Sequence, residues 1–300
     1  MLFFRSLAFC CALWLTADWA LADQPTPIVL WHGMGDSCCN PYSLGYFAKE
    51  LEEDIPGVYV HSLRIGNNFA EDTENGFFMR VDKQVQKACM IIKKDPNLKA
   101  GYNAIGFSQG SQFLRAVAQR CPDPPMLNLV SLGGQHQGVY GLPHCLYPTH
   151  KWCDFVRRAL NYLAYESVIQ KMLVQAQYWH NPTREDEYKH GSLFLADINN
   201  ELVINADYKN NLLKLKNFVL VRFNNDTMVE PISSEWFGFY KPGQALIELP
   251  LELTDLYKQD RLGLKQLKES GRLHFLQVNG DHLKFSREWF NKEITEKYLK

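Results

Sequence analysis

The stretch Gly106-Phe107-Ser108-Gln109-Gly110 carries the most information about the fold of this chain. It follows an apolar run at residues 102–107 and precedes a run with helical spacing at residues 112–119. A G-x-S-x-G sequence in this context is typical of a sharp strand-to-helix turn that exposes its serine at the end of a parallel sheet. Glycines are expected at both ends because a Cβ there would strike the neighbouring strand or helix. The pentapeptide alone is common, so its context and its partner residues decide whether it is functional.

Apolar runs and helical patterns alternate along most of the chain. Strands are predicted at residues 27–31, 58–65, 102–107, 127–132, 218–223 and 273–278, and helices at 77–94, 112–119 and 285–299. Such alternation indicates a mostly parallel sheet that helices cover on both faces. From about residue 133 to 216 the pattern is helical and irregular, and no Gly/Ser/Pro linker separates it from the rest. We therefore predict a single domain, residues 23–300, with an insertion at about 133–216.

Composition and charge are those of an ordinary globular protein. Of 300 residues, 46% are hydrophobic and 22% are charged, which excludes disorder, collagen and coiled coil. Lys+Arg 32 against Asp+Glu 33 gives a net charge of −1, and the sequence contains no basic stripe. These values exclude a nucleic-acid partner that would be bound through phosphate contacts.

Residues 1–22 have the pattern of a secretory signal peptide. Arg5 gives a basic start, an apolar run follows at residues 7–15, and Ala20-Leu21-Ala22 matches the small-x-small cleavage site. The run is too short to span a bilayer, which needs about 20 residues. An uncleaved anchor is the alternative. Because no later stretch is long and apolar enough to span, we expect a mature chain without a transmembrane segment in the secretory pathway.

The cysteine count fits an oxidising compartment. Two of the eight cysteines lie in the predicted signal, and six remain: Cys38, Cys39, Cys89, Cys121, Cys145 and Cys153. An even number in a secreted chain predicts three disulfides, with about 15 possible connectivities. His144 and His150 stand beside Cys145 and Cys153 and have zinc-ligand types, but zinc sites usually pair two separate knuckles. A local Cys145–Cys153 bridge is therefore favoured over a metal site, and no metal or cofactor is predicted.

A serine nucleophile needs a base and a residue that orients the base. In hydrolases with this turn, the partners follow the serine in the order acid, then histidine. Asp226 comes just after the strand at 218–223, and His282 comes just after the strand at 273–278. Since active sites gather at the carboxyl ends of parallel strands, Ser108, Asp226 and His282 are the predicted triad. The less favourable candidates are Asp281 as the acid, His274 inside a strand, and His180 and His190 ahead of the acid.

Acyl transfer also requires donors for the developing oxyanion. The backbone N–H of Gln109 is one candidate, because it follows the nucleophile directly. The loop His32-Gly33-Met34-Gly35 after the first strand should supply the second, which we assign to the backbone N–H of Met34. His32 itself is interpreted as a loop residue that hydrogen-bonds backbone.

Several longer stretches make the pattern specific. They are residues 30–39 (LWHGMGDSCC), 105–110 (IGFSQG), 133–139 (GGQHQGV), 234–240 (SEWFGFY) and 257–264 (YKQDRLGL). Together they resemble the lysosomal palmitoyl-protein thioesterase family over nearly the whole mature chain. The resemblance implies an α/β-hydrolase fold, no cofactor, and an acyl-enzyme mechanism on the triad already named. It also implies that the substrates are fatty acyl thioesters, including those of S-acylated proteins and peptides.

The resemblance implies further site residues. The family pattern supports the disulfides Cys38–Cys39, Cys89–Cys121 and Cys145–Cys153, and the insertion would form the acyl groove. Acyl contacts are expected at Trp179, Met228 and Val229. Other apolar candidates for the groove are Leu160, Leu163, Val168 and Met172.

Targeting and two other functions remain open at this point. Family members reach the lysosome through glycan signals, and the only N-x-S/T sequon, at Asn225, overlaps the catalytic acid. We expect a lysosomal protein, with glycan-receptor sorting and secretion as further possibilities. A secreted lipase or carboxylesterase would share the turn and the triad. A non-catalytic binding protein would usually lack a triad member, and none is missing here.

Overall fold

The computed structural model of the protein describes residues 24–141 and 160–300. The predicted signal peptide and the Cys145–Cys153 bridge lie outside these ranges. The main sheet has six parallel strands in the order β2-β1-β3-β4-β5-β8. Its strands are β1 (Ile28–Trp31), β2 (Val60–Ser62), β3 (Tyr102–Phe107), β4 (Met126–Leu132), β5 (Asn217–Phe223) and β8 (Leu273–Val278). A mostly parallel sheet with one insertion was predicted, and the sheet is confirmed.

Both faces of the sheet are buried at the central strands β1, β3 and β4, which explains why these strands are mostly apolar. Alternate residues of β1 point to opposite sides, so that Ile28 and Leu30 belong to one core and Val29 and Trp31 to the other. The first core packs against α1 (Leu44–Asp54) and the C-terminal segment. The second packs against the remaining helices of the domain and the described part of the insertion.

The region predicted as one helix at residues 77–94 is two helices, and that prediction is corrected. α2 (Phe69–Phe78) ends at Met79, whose backbone is extended, and α3 (Val81–Lys94) begins two residues later. Gln84 stabilises the break, because its side-chain amide donates to the carbonyls of Asn75 and Met79. Apolar spacing continues across the break, so the periodicity alone did not reveal it.

The helices after α3 are α4 (Gln109–Arg120), α5 (Ser167–Met172), α6 (Val174–Gln177), α7 (Glu185–Gly191), α8 (Leu195–Ile198), α9 (Ala206–Leu212), α10 (Asp255–Lys258), α11 (Leu264–Glu269) and α12 (Arg287–Phe290). The helix predicted at residues 112–119 is α4, and the described part of the insertion is helical as predicted, whereas α1 and the helices at residues 255–258 and 264–269 were not predicted. The predicted closing helix is α12 continued by a π-helical segment, Asn291–Leu299. A two-stranded hairpin of β6 (Phe239–Tyr240) and β7 (Glu248–Leu249) was not predicted. None of the helices in the described ranges is long and apolar enough to cross a membrane.

Two of the expected disulfides are present. Cys89 on α3 joins Cys121, which follows α4, with the Cα atoms 6.0 Å apart. Cys38 joins its neighbour Cys39 in the loop between β1 and α1. Both pairs agree with the pairings that the family pattern implies.

Candidate active site

Ser108 sits in a tight turn between β3 and α4. Its backbone has φ 52 and ψ −122, a conformation that L-residues avoid. A Cβ on Gly106 would overlap the backbone of Ser111, and a Cβ on Gly110 would overlap the carbonyl of Trp31. Both glycines are therefore needed for the turn to fit between the strand and the helix, as the sequence predicted.

The structure brings the predicted base and acid together. His282 follows β8, and its Nδ1–H donates to Oδ2 of the buried Asp226. The other carboxylate oxygen of Asp226 accepts the backbone N–H groups of Met228 at 2.6 Å and Val229 at 2.8 Å. Gly133, after β4, lies against the imidazole, since a Cβ there would be 3.0 Å from Cε1 of His282. Backbone donors and a glycine thus fix the carboxylate and the ring.

The alternative acid and bases are engaged elsewhere. Asp281 accepts the N–H and hydroxyl of Thr227 and the backbone N–H of His282, so it ties two loops together without contacting the imidazole ring. The competing histidines contact other groups: His274 contacts Asn217, His180 contacts Gln137 and Glu185, and His190 contacts Asp186.

Glu235 is a buried acid that the sequence analysis missed. It lies in a 3₁₀ turn, Ile232–Trp236, and its Oε2 accepts the backbone N–H of Phe223 at 2.8 Å. Carboxylate oxygens of Asp226 and Glu235 and a ring nitrogen of His282 all lie within 4.8 Å of one another. Burial, reinforced by the Asp226 carboxylate, raises the pKa of Glu235 to about 10. Burial opposes ionisation of Asp226 as well, but hydrogen bonds from His282 and Glu235 outweigh it and hold the pKa of Asp226 below its usual value.

The residues assigned as oxyanion donors, Gln109 and Met34, belong to segments that adjoin the nucleophile. Gln109 is the first residue of α4, so its N–H has no partner within the helix. The loop that carries Met34 packs on Ser108, because a Cβ on Gly33 would be 3.3 Å from Cβ of Ser108. The Gln109 side chain is locked by Gly76, whose carbonyl accepts its amide at 3.1 Å. This arrangement suits the oxyanion role predicted for the two N–H groups.

A buried ion pair supports that loop. His32 is 3.3 Å from Asp72 on α2, a separation typical of an ion pair although the angle is too poor for a hydrogen bond. Asp72 also accepts the N–H groups of Cys38 at 2.9 Å and Ile65 at 2.6 Å. Burial lowers the pKa of His32, but the Asp72 carboxylate more than offsets this, and the net shift is upward. His32 contacts the backbone carbonyl of Gly33 at 2.8 Å, as interpreted from the sequence, and its acidic partner was missed.

A cleft of about 520 Å³ opens beside Ser108 and His282. Met34 and Met228 line it, as do residues of α1 and of the segment 282–291 that begins at His282. Two of the expected acyl contacts do not line this cleft: Trp179 is buried against Tyr140, with ring centroids 5.4 Å apart, and Val229 is buried beside Asp226. The groove candidates Leu163, Val168 and Met172 are exposed, and Leu160 is buried. An acyl contact at Met228 agrees with the cleft, whereas contacts at Trp179 and Val229 stay predictions.

Comparison with known proteins shows the family. The family described as palmitoyl protein thioesterase matches residues 27–282, which include Ser108, Asp226 and His282. The chain belongs to that family. It is 56% identical to palmitoyl-protein thioesterase 1 of Caenorhabditis elegans, over 98% of this chain and 98% of that protein.

More distant relatives cover most of the chain too. Palmitoyl-protein thioesterase 3 of Dictyostelium discoideum is 38% identical over 88% of this chain and 87% of its own length. The lysosomal thioesterase PPT2 of Homo sapiens is 28% identical over 82% of this chain and 78% of its own. Among solved structures, the RedJ thioesterase of Streptomyces coelicolor aligns over 90% of this chain and 85% of that one, with a TM-score of 0.43 and 13% identity. The protein is a thioester hydrolase with an α/β-hydrolase fold.

Proposed function

We propose that the protein removes long-chain fatty acyl groups, palmitoyl in particular, from cysteine thioesters of lipidated proteins. One observation supports the proposal: Ser108 and His282 line one cleft at the carboxyl ends of parallel strands, and Asp226 accepts from His282, in a chain of this family. The serine conformation, the buried orienting acid and the neighbouring N–H donors suit acyl transfer.

In the first half of the reaction, Oγ of Ser108 attacks the thioester carbonyl carbon while Nε2 of His282 takes the hydroxyl proton. The carbonyl oxygen becomes an oxyanion that accepts from the N–H groups of Gln109 and Met34. The C–S bond then breaks, and His282 returns its proton to the departing thiolate. Asp226 holds the Nδ1–H tautomer throughout, so Nε2 is the atom that carries the mobile proton.

The second half regenerates the enzyme. Water attacks the acyl ester on Ser108, and His282 takes one of its protons. The C–O bond to Ser108 breaks, the serine regains a proton from His282, and the free fatty acid leaves. No cofactor is required at either step, because the thioester itself provides a good leaving group.

An acyl chain needs an apolar surface near the serine. Each buried CH₂ contributes about 0.8 kcal/mol, so a long chain gains most of its binding energy from such a surface. Met228 offers this contact in the cleft, and Trp179 and Val229 are proposed as further contacts from the family resemblance.

We propose a lysosomal location reached through a glycan on Asn225, with secretion as a second destination. Asn225 is exposed while the adjacent Asp226 is buried, so a glycan can project outward without displacing the acid. One human relative is named as a lysosomal thioesterase. Mass spectrometry of the secreted protein with and without Asn225→Gln tests for the glycan; an unmodified Asn225 in the wild type contradicts this part.

The proposed function is tested by comparing two substrates with the same acyl chain. The purified protein is given a palmitoyl thioester and the matching palmitoyl oxoester, and kcat/KM is measured for each. We expect the thioester to be preferred by at least about tenfold, and a fluorophosphonate to label Ser108 and to stop both reactions. A preference for the oxoester would make the protein a lipase or carboxylesterase, and a protein that does not react with the fluorophosphonate would be a binding protein.

A further inference from the structure

The environment of Glu235 differs from that of an ordinary buried acid. Its side chain is 0% exposed, and the turn that carries it packs on β5. One oxygen, Oε2, accepts the N–H of Phe223, three residues before the catalytic acid. The other oxygen, Oε1, is buried and has no hydrogen-bond partner among the described residues, and a carboxyl oxygen of Glu235 lies within 4.8 Å of one of Asp226.

Two buried carboxyl groups in contact cannot both be ionised. Asp226 receives three N–H donors, from Met228, Val229 and His282, whereas Glu235 receives one, from Phe223. The carboxyl group that receives more hydrogen bonds carries the negative charge, so Asp226 is the carboxylate and Glu235 keeps the proton. The directions of their pKa shifts, down for Asp226 and up for Glu235, agree with this assignment.

We propose that Glu235 is a positioning residue whose carboxylic acid O–H donates to Asp226 and extends the triad to Ser108–His282–Asp226–Glu235. The bond holds the carboxylate in the plane that His282 needs. It also draws negative charge away from Asp226, so the imidazole releases its proton to substrate more readily. This inference uses the triad of the proposed function but does not depend on the substrate.

A cation bound among the same three side chains is the competing explanation. The hydrogen bonds at this site disfavour it, because most of the atoms that would bind a metal already take part in hydrogen bonds, although Oε1 of Glu235 does not. Phe223 donates into Glu235, backbone N–H groups donate into Asp226, and Nδ1 of His282 donates into the same carboxylate. A bridging proton fits these contacts, and a metal ion would have to displace them.

The first test measures how fast a small fluorophosphonate labels Ser108 between pH 4 and 8, because this rate requires only the triad. Glu235→Gln keeps an N–H donor toward Asp226 and an acceptor for Phe223. We expect its rate to stay within about threefold of the wild type, with the acid limb of the profile unmoved. Glu235→Leu removes the donor, so we expect a rate at least about tenfold lower and an acid limb at higher pH, by about half a unit or more.

A shifted acid limb in Glu235→Gln would show that Glu235 is ionised in the native protein. Removing a negative charge near His282 would move the acid limb to lower pH in Glu235→Gln, and that shift overturns the proposal. Loss of wild-type labelling after treatment with a chelator overturns it in favour of a metal ion. If Ser108 is labelled but palmitoyl thioesters are not hydrolysed, the proposed substrate fails while this inference stands.

A second test keeps the proposal falsifiable if Glu235→Leu does not fold. The native state holds a proton on Glu235 that the unfolded chain releases above about pH 4.5, so rising pH favours unfolding of the wild type. Asp226, His282 and Arg222, the titratable and charged groups near Glu235, are unchanged in Glu235→Gln. We expect the unfolding equilibrium constant of the wild type, relative to Glu235→Gln, to rise about tenfold per pH unit between pH 5 and 8. A ratio that does not change with pH overturns the proposal.

Discussion

Gly133 leaves room for the imidazole of His282. Its backbone has φ +62, and a Cβ there would lie 3.0 Å from Cε1 and 3.3 Å from Nδ1 of His282. We expect Gly133→Ala to push the ring away from Ser108 and to lower kcat/KM on a soluble acyl thioester by about 100-fold. Gly271→Ala is the matched control, because Gly271 has φ +70 and nothing within 4 Å of its Cβ position. Both variants should lose about 1 kcal/mol of stability, and equal activity losses would contradict the role given to Gly133.

Asp226 and Asp281 both bond to His282, but Asp226 bonds to its imidazole and Asp281 to its backbone. Asp226 accepts from Nδ1 of His282, whereas Asp281 accepts from Thr227 and from backbone. Asp226→Asn should lower kcat by up to about 10⁴, by analogy with the serine protease in which the same change was studied. Asp281→Asn should lower kcat by less than about tenfold, because it only weakens the contact between two loops. A fully active Asp226→Asn beside an inactive Asp281→Asn would reverse the two assignments.

The triad was predictable because its members stand at the ends of strands that the sequence marks clearly. Glu235, the residue beside the orienting acid Asp226, was not predictable. Glu235 reaches Asp226 only because the turn Ile232–Trp236 folds back on β5, and no periodicity describes a turn. A lone carboxylate in the aromatic run Glu235-Trp236-Phe237 was the available signal.

At the scale of elements, α2 supports the loop that carries the oxyanion donor. Asp72 on α2 pairs with His32 and raises its pKa above the unfolded value of 6.5. The resulting stabilisation is complete below about pH 6.5 and is lost as the pH rises through the native pKa of His32. In urea denaturation, the free energy of unfolding lost in His32→Gln should therefore be larger at pH 5 than at pH 8. The exposed His190→Gln is the control, and a larger loss at pH 8 for His32→Gln would contradict the ion pair.

Element boundaries were predicted less well than element order. β3 and β8 have the predicted bounds, because apolar runs between turn residues define them. The break between α2 and α3 depends on side-chain hydrogen bonds from Gln84, and apolar spacing carries no record of such bonds. The pairing of Asp72 with His32 was missed for the same reason, because the partners of Asp72 lie in other elements.

Across the whole molecule, Arg115 joins the sheet domain to the insertion. It is fully buried on α4, and it donates to the carbonyl of Ile198 at 3.1 Å, the carbonyl of His136 at 3.1 Å and the side chain of Asn199 at 2.9 Å. Arg115→Met should lower the free energy of unfolding by about 3 kcal/mol, because it leaves buried acceptors without a donor. Arg184→Met, which breaks a surface ion pair with Glu187, should cost less than about 1 kcal/mol in the same urea titration. Equal losses in the two variants would show that Arg115 does not join the two parts.

The sheet could be predicted from the sequence and the packing of the insertion could not. α4 illustrates the reason: its residues 109–119 are all buried although several are polar, because the sheet and the insertion cover it from both sides. A pattern of polar and apolar residues predicts an exposed face for such a helix. The cleft wall formed by α1 and residues 282–291 was missed for the same reason, since it depends on how separate elements pack.

In the proposed reaction, Ser108 carries the acyl group during hydrolysis of a protein thioester. The most direct measurement gives an S-palmitoylated peptide to the wild type, to Ser108→Ala and to the exposed control Ser270→Ala, and quenches each reaction in acid for peptide mapping. We expect palmitoyl on Ser108 and free peptide thiol for the wild type and for Ser270→Ala, and neither product for Ser108→Ala. Thiol release by Ser108→Ala at the wild-type rate, or palmitoyl on a different residue, would contradict it.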